Sequence, residues 1–245
     1  MRNAIWLLVL VGGCGGDGEI DAPVEQTLQG GPRDAHDPAV GLVWLEGGGF
    51  CSGSLIAPDV VLTAGHCVVP TVASFYTGGG EAATQVGALP VGKLVEHAVI
   101  DQVAHPSYSS AGGCPNSTFD VGLLRLAHPI KNIRPLALGA NAPRLGAVCR
   151  AIGYGVHNQG AQATVEQKRR ASETVKSVDE TSVLVAAKTG IVDHGDSGGP
   201  LVCNARIVGT TSCGTDGAYP EHHEAYYART DTIRDWIDST VAGWR

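Results

Sequence analysis

Three short segments of the sequence carry residue types that together can activate a hydroxyl group for attack on a carbonyl carbon. Residues 62–67 include His66, residues 119–124 include Asp120, and residues 195–200 read Gly-Asp-Ser-Gly-Gly-Pro around Ser197. A serine hydroxyl is barely ionised at neutral pH, so an imidazole must take its proton and a buried carboxylate must orient that imidazole. Taken singly, these residues are typical of turns and structural positions. Together they predict hydrolysis by a nucleophilic serine, with the neighbouring glycines leaving room for backbone donors to an oxyanion.

The elements that must position these residues are predicted to be short strands. The chain has 34 glycines and only three phenylalanines, and its short apolar runs are separated by Gly, Pro and Asp. This pattern favours an all-β protein, as in sandwiches and barrels. One helix is predicted within residues 230–241, where Ile233, Trp236, Ile237 and Val241 fall at helical spacing. The strand-like runs cover residues 40–45, 53–56, 60–63, 93–103, 121–126, 147–153, 182–187, 200–202 and 206–211.

The composition limits the classes of protein and partner. The 245-residue chain is 43% hydrophobic and 17% charged, which is typical of folded domains and not of disordered chains. Its formal net charge of −7 makes nucleic acids and anionic membrane surfaces poor electrostatic partners.

The N-terminus has the pattern of an export signal. Residues 1–13 combine one Arg with an apolar run that is too short to span a bilayer as a helix. The sequence Leu-Val-Gly-Gly-Cys ending at Cys14 resembles a bacterial lipobox, in which the cysteine is lipidated; residues 14–27 would then form a tether or pro-segment. The alternative is a plain secretory signal with a chance cysteine. Both interpretations predict export, either as a lipoprotein of the outer membrane or cell surface or in secreted form.

The cysteine count fits an exported protein with disulfides. The chain has seven cysteines, and six remain if Cys14 carries lipid. Six cysteines allow fifteen pairings, so the count alone does not choose among them.

In their His, Asp, Ser order the three segments resemble the trypsin/chymotrypsin-like serine proteases, whereas subtilisins and α/β-hydrolases carry other orders. Residues 51–56, Cys-Ser-Gly-Ser-Leu-Ile, are similar to the family's Cys-Gly-Gly-Ser-Leu-Ile stretch; residues 105–108 and 207–212 match further family segments. The resemblance extends from about residue 28 to the end. It implies two antiparallel Greek-key β-barrels packed together with a C-terminal α-helix, divided as residues 28–137 and 138–245. It also implies a protein or peptide substrate and no cofactor or metal.

The resemblance assigns a role to each matching residue. Ser197 would attack the carbonyl, His66 would act as base and then acid, and Asp120 would orient His66. The backbone N–H groups of Gly195 and Ser197 would form the oxyanion hole. Ser212 would support Asp120, and residues 212–214, including Cys213 and Gly214, would pair with the substrate backbone.

Disulfides are also implied by the resemblance. Cys51–Cys67 and Cys149–Cys203 resemble family bridges. Cys114 and Cys213 depart from the family pattern, and we hypothesise a Cys114–Cys213 bridge, with two free thiols as the alternative.

The predicted specificity pocket lacks the carboxylate of trypsin-type enzymes. Its floor would be Ile191, and its wall would include Gly214 and Ala225. Asp193 stands where the family often has a cysteine, so that local bridge is absent. An apolar floor predicts a small or medium apolar residue at P1, the substrate residue before the scissile bond.

Activation in the family frees an apolar N-terminus, whose amine pairs with the Asp before the serine, here Asp196. The nearest match is Leu-Gln-Gly-Gly from Leu28, preceded by Thr27 and not by Arg or Lys. Cleavage before Leu28 by an activating protease would also release the chain from its lipid.

Two other functions compete with that of an endopeptidase. The first is a surface-anchored binding protein on an inactive protease scaffold, and the second is a lipase or esterase, which the residue order disfavours. Residues 221–224, Glu-His-His-Glu, lack zinc-helix spacing and are predicted to form a solvated loop.

Overall fold

The computed structural model describes residues 31–78, 94–111, 113–114, 116–155, 168–215 and 223–245. Within these ranges the chain is nearly all strand, with two antiparallel barrels and a helix near the C-terminus. This architecture confirms the predicted fold class. The predicted signal, Cys14, the tether and Leu28 lie outside the described residues. Among the described residues, no helix combines the length and the apolar character that a membrane crossing requires.

The first barrel closes from six antiparallel strands in the order β1-β2-β3-β6-β5-β4. A one-turn helix, α1, follows β3 and carries His66. The bounds are β1 Val40–Leu45, β2 Phe50–Ala57, β3 Val60–Thr63, α1 Gly65–Val68, β4 Val72–Thr77, β5 Val95–Ala104 and β6 Gly122–Leu126.

The second barrel also has six antiparallel strands, in the order β11-β8-β9-β10-β13-β12, and a β11–β12 pairing closes it. A two-residue strand, β7, pairs in parallel with β12. The predicted division after residue 137 falls inside β7, and it stays a prediction. The bounds are β7 Ala137–Leu138, β8 Val148–Gly153, β9 Arg169–Val178, β10 Ser182–Ala187, β11 Pro200–Cys203, β12 Arg206–Gly214, β13 Glu224–Arg229 and α2 Arg234–Gly243.

An apolar cluster joins the two barrels and the C-terminal helix. Leu62 and Leu123 of the first barrel pack in the same cluster as Ile152 and Val202 of the second, and Ile237 of α2 completes it. All are buried, so the contact between the barrels is stabilised by loss of apolar surface from water. This packing holds the ends of β2, β3, β8 and β12 in fixed relative positions, and the predicted catalytic residues lie around those ends.

Candidate active site

His66 lies on α1, directly after β3, and is held there by contacts with the segment before β6. Gly65 is required at this turn, because a Cβ there would lie 2.9 Å from the Tyr108 ring and 3.1 Å from Asp120 Oδ1. The close approach lets the His66 backbone N–H donate to Asp120 Oδ1 at 2.9 Å. The His66 side chain remains 35% exposed, so its ring also faces the surface where a substrate can reach it.

Asp120 is buried, and three donors surround its carboxylate. His66 Nδ1 lies 2.8 Å from Oδ2, the His66 backbone N–H binds Oδ1, and Ser212 Oγ donates to Oδ2 at 2.6 Å. Burial alone would raise the pKa of Asp120, but the hydrogen bonds and charge of His66 and the Ser212 donor outweigh it, and the pKa is lowered. The carboxylate is therefore ionised at neutral pH and fixes the orientation of the imidazole.

Ser197 lies in a tight turn between the barrels. Gly195 and Gly198 on either side have positive φ angles of 90° and 80°, which glycine adopts without strain. A Cβ on Gly198 would lie only 2.1 Å from Thr63 Oγ1, so the serine turn packs directly against the start of the histidine turn. The Ser197 carbonyl accepts a hydrogen bond from Ser52 N at 2.8 Å.

The structure thus brings His66, Asp120 and Ser212 into direct hydrogen-bond contact and packs the Ser197 turn beside them. Within the described residues, no hydrogen bond joins Ser197 Oγ to the His66 ring. Such bonds are often long in free enzymes and tighten in the substrate complex.

Asp196 is fully buried behind the serine turn. Its oxygens accept hydrogen bonds from Gly155 N at 2.8 Å and Asp193 N at 3.0 Å. Burial raises the pKa of Asp196 to about 7, against the opposing effect of these two donors. A Cβ on Gly155 would lie 2.4 Å from the carboxylate, so the chain leaves room there only for glycine. Leu28, the predicted partner, lies outside the described residues.

Three disulfides support the site, and they join the pairs expected from the sequence. Cys114–Cys213 ties the loop before Asp120 to β12, where Ser212 and Gly214 also lie. Cys51 and Cys67 lie close to a His66 nitrogen, but both sulfurs are in a disulfide, so this trio offers no thiolate to a metal. The three bridges are Cys51–Cys67, Cys114–Cys213 and Cys149–Cys203.

A buried acid that the sequence did not predict lies beside the segment that follows the predicted floor residue. Ile191 and Ala225 are both fully buried. Glu173, on β9, accepts hydrogen bonds from Tyr227 Oη at 2.7 Å and from Val192 N, the residue after Ile191, at 3.2 Å. Burial raises the pKa of Glu173 to about 8. The available signal was the period-two pattern of β9, which places Glu173 on the inward face with its buried neighbours two residues away.

Of the acidic and histidine run at residues 221–224, residues 221 and 222 lie outside the described residues, and Glu224 begins β13. A second missed residue is Ser52, which the sequence analysis treated only as part of a family stretch. Its hydroxyl donates a hydrogen bond to the Gly195 carbonyl at 2.9 Å.

Two antiparallel barrels with a histidine, a buried carboxylate and a serine turn between them define the class of two-barrel serine hydrolases. Comparison with known proteins narrows this class. The family profile described as Trypsin matches residues 30–237. The chain therefore belongs to the trypsin family, and it is a serine-type endopeptidase.

Relatives in snake venoms agree with this assignment. The chain is 30% identical over 215 residues to thrombin-like enzyme agkihpin-1 of Gloydius halys, covering 79% of this chain and 86% of that protein. It is 31% identical over 219 residues to snake venom serine proteinase 14 of Crotalus adamanteus, covering 79% and 78%. Among solved structures, mouse brain neuropsin matches with a TM-score of 0.70 at 24% identity, over 85% of this chain and 98% of that one. This last similarity is one of fold.

Proposed function

We propose that this protein hydrolyses peptide bonds through an acyl-enzyme on Ser197, with His66 and Asp120 completing the catalytic triad. The observation that carries the proposal is the contact of Asp120 with His66 Nδ1 at 2.8 Å. With Nδ1 bound to the carboxylate, the proton of the imidazole is held on that side, and Nε2 is left to accept the Ser197 proton. After attack, the same proton passes to the leaving amine, and the ester on Ser197 is hydrolysed by water in the reverse sequence.

The oxyanion of each tetrahedral intermediate would be bound by the backbone N–H groups of Gly195 and Ser197. Removing one such donor costs about 10²–10³ in kcat in a comparable protease. The positive φ of Gly195 supports this role, because it lets the backbone turn around the space where the oxyanion forms.

The test is covalent labelling of the purified, processed protein with a fluorophosphonate probe, beside hydrolysis of a casein substrate. We expect labelling and hydrolysis of the wild type, and neither in Ser197→Ala. A folded Ser197→Ala protein is the matched control, because the substitution removes only one hydroxyl. An unlabelled and inactive wild type would instead favour the alternative, a binding protein on an inactive protease scaffold.

We also propose an apolar P1 preference. The support is the residue types at the two predicted lining positions, since Ile191 and Ala225 are apolar and neither supplies a carboxylate to pair with Arg or Lys. Peptides with Ala, Val or Leu at P1 should therefore be cleaved faster than peptides with Arg or Lys. A fluorogenic panel in which Arg or Lys gives the highest kcat/KM would contradict the proposal.

Activation by a new N-terminus at Leu28 is proposed from the path of the first described residues. Arg33 forms a bridge with Arg169, and Arg169 pairs with Gly153. A Cβ on Gly153 would lie 2.1 Å from Asp196 Oδ1, so this part of β8 is next to the buried carboxylate. The chain from residue 28 to 31 spans roughly 10 Å when extended. The support for an amine at Leu28 pairing with Asp196 is that the described chain begins three residues later, beside the strands next to this carboxylate.

For the N-terminal region we propose export through the signal at residues 1–13 and a bacterial-type lipid anchor on Cys14. The support is the sequence pattern alone. Metabolic labelling with a fatty acid tests the anchor: label in the wild type and none in Cys14→Ser is expected. If neither protein is labelled, the lipid anchor is rejected, and export by a plain secretory signal is the remaining interpretation.

A further inference from the structure

Ser52, on β2 of the first barrel, uses all of its polar atoms to join parts of the catalytic region. It is fully buried. Its backbone N–H donates to the Ser197 carbonyl at 2.8 Å, and its carbonyl accepts from Thr63 Oγ1 at 2.8 Å. Its hydroxyl donates to the Gly195 carbonyl at 2.9 Å and accepts from Tyr154 N at 2.9 Å. Ser52 therefore contacts both residues whose N–H groups are proposed to bind the oxyanion.

The Ser52 hydroxyl binds the carbonyl of a glycine, whose backbone rotates more freely than that of a residue with a side chain. Gly195 has a φ of 90° and no side chain, so its peptide groups can rotate unless a contact holds them. Two neighbouring residues of β2 supply such contacts. The Phe50 ring packs against the Cα of Gly195, since a Cβ there would lie 2.0 Å from Phe50 Cε2. The Ser52 hydroxyl binds the carbonyl of the same residue.

The other end of this link is the second barrel. Tyr154 follows β8 and is fully buried, and its N–H is bound only through the Ser52 hydroxyl among the contacts of the described residues. One hydroxyl thus joins β2, the end of β8 and the turn that carries Gly195. The family stretch that the sequence resembles has glycine at the position of Ser52. A protein with glycine there has no hydroxyl and could not form this link.

We propose that Ser52 is a positioning residue of the oxyanion hole. Its hydroxyl holds the carbonyl of the Gly195–Asp196 peptide, which limits rotation about the Gly195 backbone and so keeps the Gly195 N–H, on the preceding peptide, pointed at the developing oxyanion. The inference rests on the proposed function of Gly195. Ser52 does not touch the substrate; it acts by limiting rotation about the Gly195 backbone. Its contribution therefore belongs to the transition state, where the oxyanion carries most charge, and not to binding of the substrate ground state.

The test is Ser52→Ala, measured for kcat and KM and for inhibition by a peptide boronic acid, which forms a tetrahedral adduct. We expect kcat and boronate affinity to fall together by about tenfold or more, less than the loss of a whole donor. KM, and the affinity for an uncleaved peptide inhibitor, should stay within about twofold, because ground-state binding is separate from transition-state stabilisation.

Ser54→Ala is the matched control. Ser54 lies on the same strand and is equally buried, but its hydroxyl has no hydrogen-bond partner among the described residues. Its loss should leave kcat and boronate affinity unchanged. Thermal unfolding of both variants separates a loss of stability from a loss of positioning.

Ser52→Gly is the second variant if Ser52→Ala does not fold, and the same split between kcat and KM is expected. An unchanged kcat and boronate affinity in a folded Ser52 variant of an active enzyme would overturn the inference and leave the proposed function intact. So would a rise in KM at constant kcat. Failure of the wild type to hydrolyse peptides or to react with fluorophosphonate would instead overturn the proposed function.

Discussion

Asp120 illustrates how a single buried carboxyl can remain charged. Its burial disfavours the charge, and three donors from His66 and Ser212 reverse that effect, so its pKa is lowered. The charge is needed because His66 becomes positive when it takes the Ser197 proton.

Asp120→Asn tests this charge with little change in shape. An amide at this position cannot stabilise the imidazolium and favours the wrong tautomer of His66. We expect kcat to fall by about 10⁴-fold, the effect of the same change in a Ser-His-Asp protease. Steady-state kinetics measures it, and circular dichroism with thermal unfolding checks that the variant is folded. Retention of more than a tenth of the wild-type kcat would contradict the role of Asp120.

At Glu173 the effect of burial on the pKa outweighs that of the hydrogen-bond donors, which is the opposite of Asp120. This difference predicts how the stability of the protein depends on pH. Burial raises its pKa from 4.5 to about 8, and the hydrogen bonds of Tyr227 and Val192 do not compensate. Between these values the unfolded chain has released the proton and the folded chain retains it. Stability therefore falls as pH rises through this window, by at most about 1.4 kcal/mol per pH unit for one group.

Glu173→Gln removes this titration and can keep both contacts, with its oxygen facing Val192 N and its amino group facing Tyr227 Oη. The wild type loses stability through Glu173 as pH rises from 5 to 8, and Glu173→Gln does not. We therefore expect the difference in free energy of unfolding between the variant and the wild type to increase steadily over this range in favour of the variant. Urea denaturation across this range measures it. Glu180→Gln, on an exposed turn, is the control and should follow the wild type. Parallel curves for Glu173→Gln and the wild type would refute the assignment.

At the level of single residues, the sequence predicted the groups that belong to recurrent motifs. His66, Asp120, Ser197 and Ser212 were found in this way, and the structure brings His66, Asp120 and Ser212 together. Glu173 and Ser52 were missed for different physical reasons. Glu173 lies in β9, a strand of mixed polarity that was not predicted, so the inward face of its period-two pattern was not recognised. The role of Ser52 depends on a contact between residues separated by 143 positions in the chain.

Of the thirteen strands that the structure describes, nine overlap a predicted apolar run, including the mixed strand β5, whereas β4, β7, β9 and β13 were missed. Strands β1, β3, β6 and β10 were predicted within a residue or so from their apolar runs. Strands β9 and β13 were missed, because both carry charged or polar residues that mask the signal, including Glu173 at a buried position. The short helix α1 was also missed, since one turn has no periodicity to detect.

The Cys114–Cys213 bridge links a loop to a strand, and we expect it to affect both the stability of the fold and the binding of substrate. It spans 99 residues of sequence and holds the loop before Asp120 against β12. Replacing both cysteines with serine should lower the free energy of unfolding by about 2–4 kcal/mol, since the unfolded chain gains freedom. It should also raise KM, because Cys213 lies between Ser212 and Gly214 on the proposed substrate strand.

The matched control is the double serine variant of Cys149 and Cys203, which join β8 and β11 within the second barrel. It should lose stability without a comparable rise in KM. Thermal unfolding and substrate titration of both variants distinguish the two effects. Equal KM values would show that the Cys114–Cys213 bridge stabilises the fold alone.

On the scale of the whole molecule, charged groups attach the first described residues to the second barrel. Lys168 is buried, and its Nζ binds the Asp37 carbonyl at 2.5 Å and lies 3.6 Å from Asp34 Oδ2. Arg170 adds a longer contact to Asp34 at 3.8 Å. Breaking such a buried pair leaves an uncompensated charge, so the path of residues 31–37 is strongly fixed.

The last prediction follows from this path. A protein whose first residue is Leu28 should be much more active than the chain with residues 1–27 attached, because its amine can supply the charge that buried Asp196 needs to ionise. A free α-amine has a pKa of about 7.7–8.0, and a neighbouring carboxylate raises it. Activity should therefore fall as alkaline pH deprotonates the amine.

Fusion proteins cleaved to begin at Leu28 or at Gln29 provide the comparison. The shorter chain lacks only Leu28, so its amine begins one residue later in the chain. Active-site titration gives the competent fraction of each. High activity for the Leu28 protein, a large loss for the Gln29 protein and loss in Asp196→Asn are the expected results. Equal activity of the Leu28 protein, the Gln29 protein and Asp196→Asn would mean that the serine turn is ordered without an ion pair at Asp196. Full activity with residues 1–27 attached would mean the same.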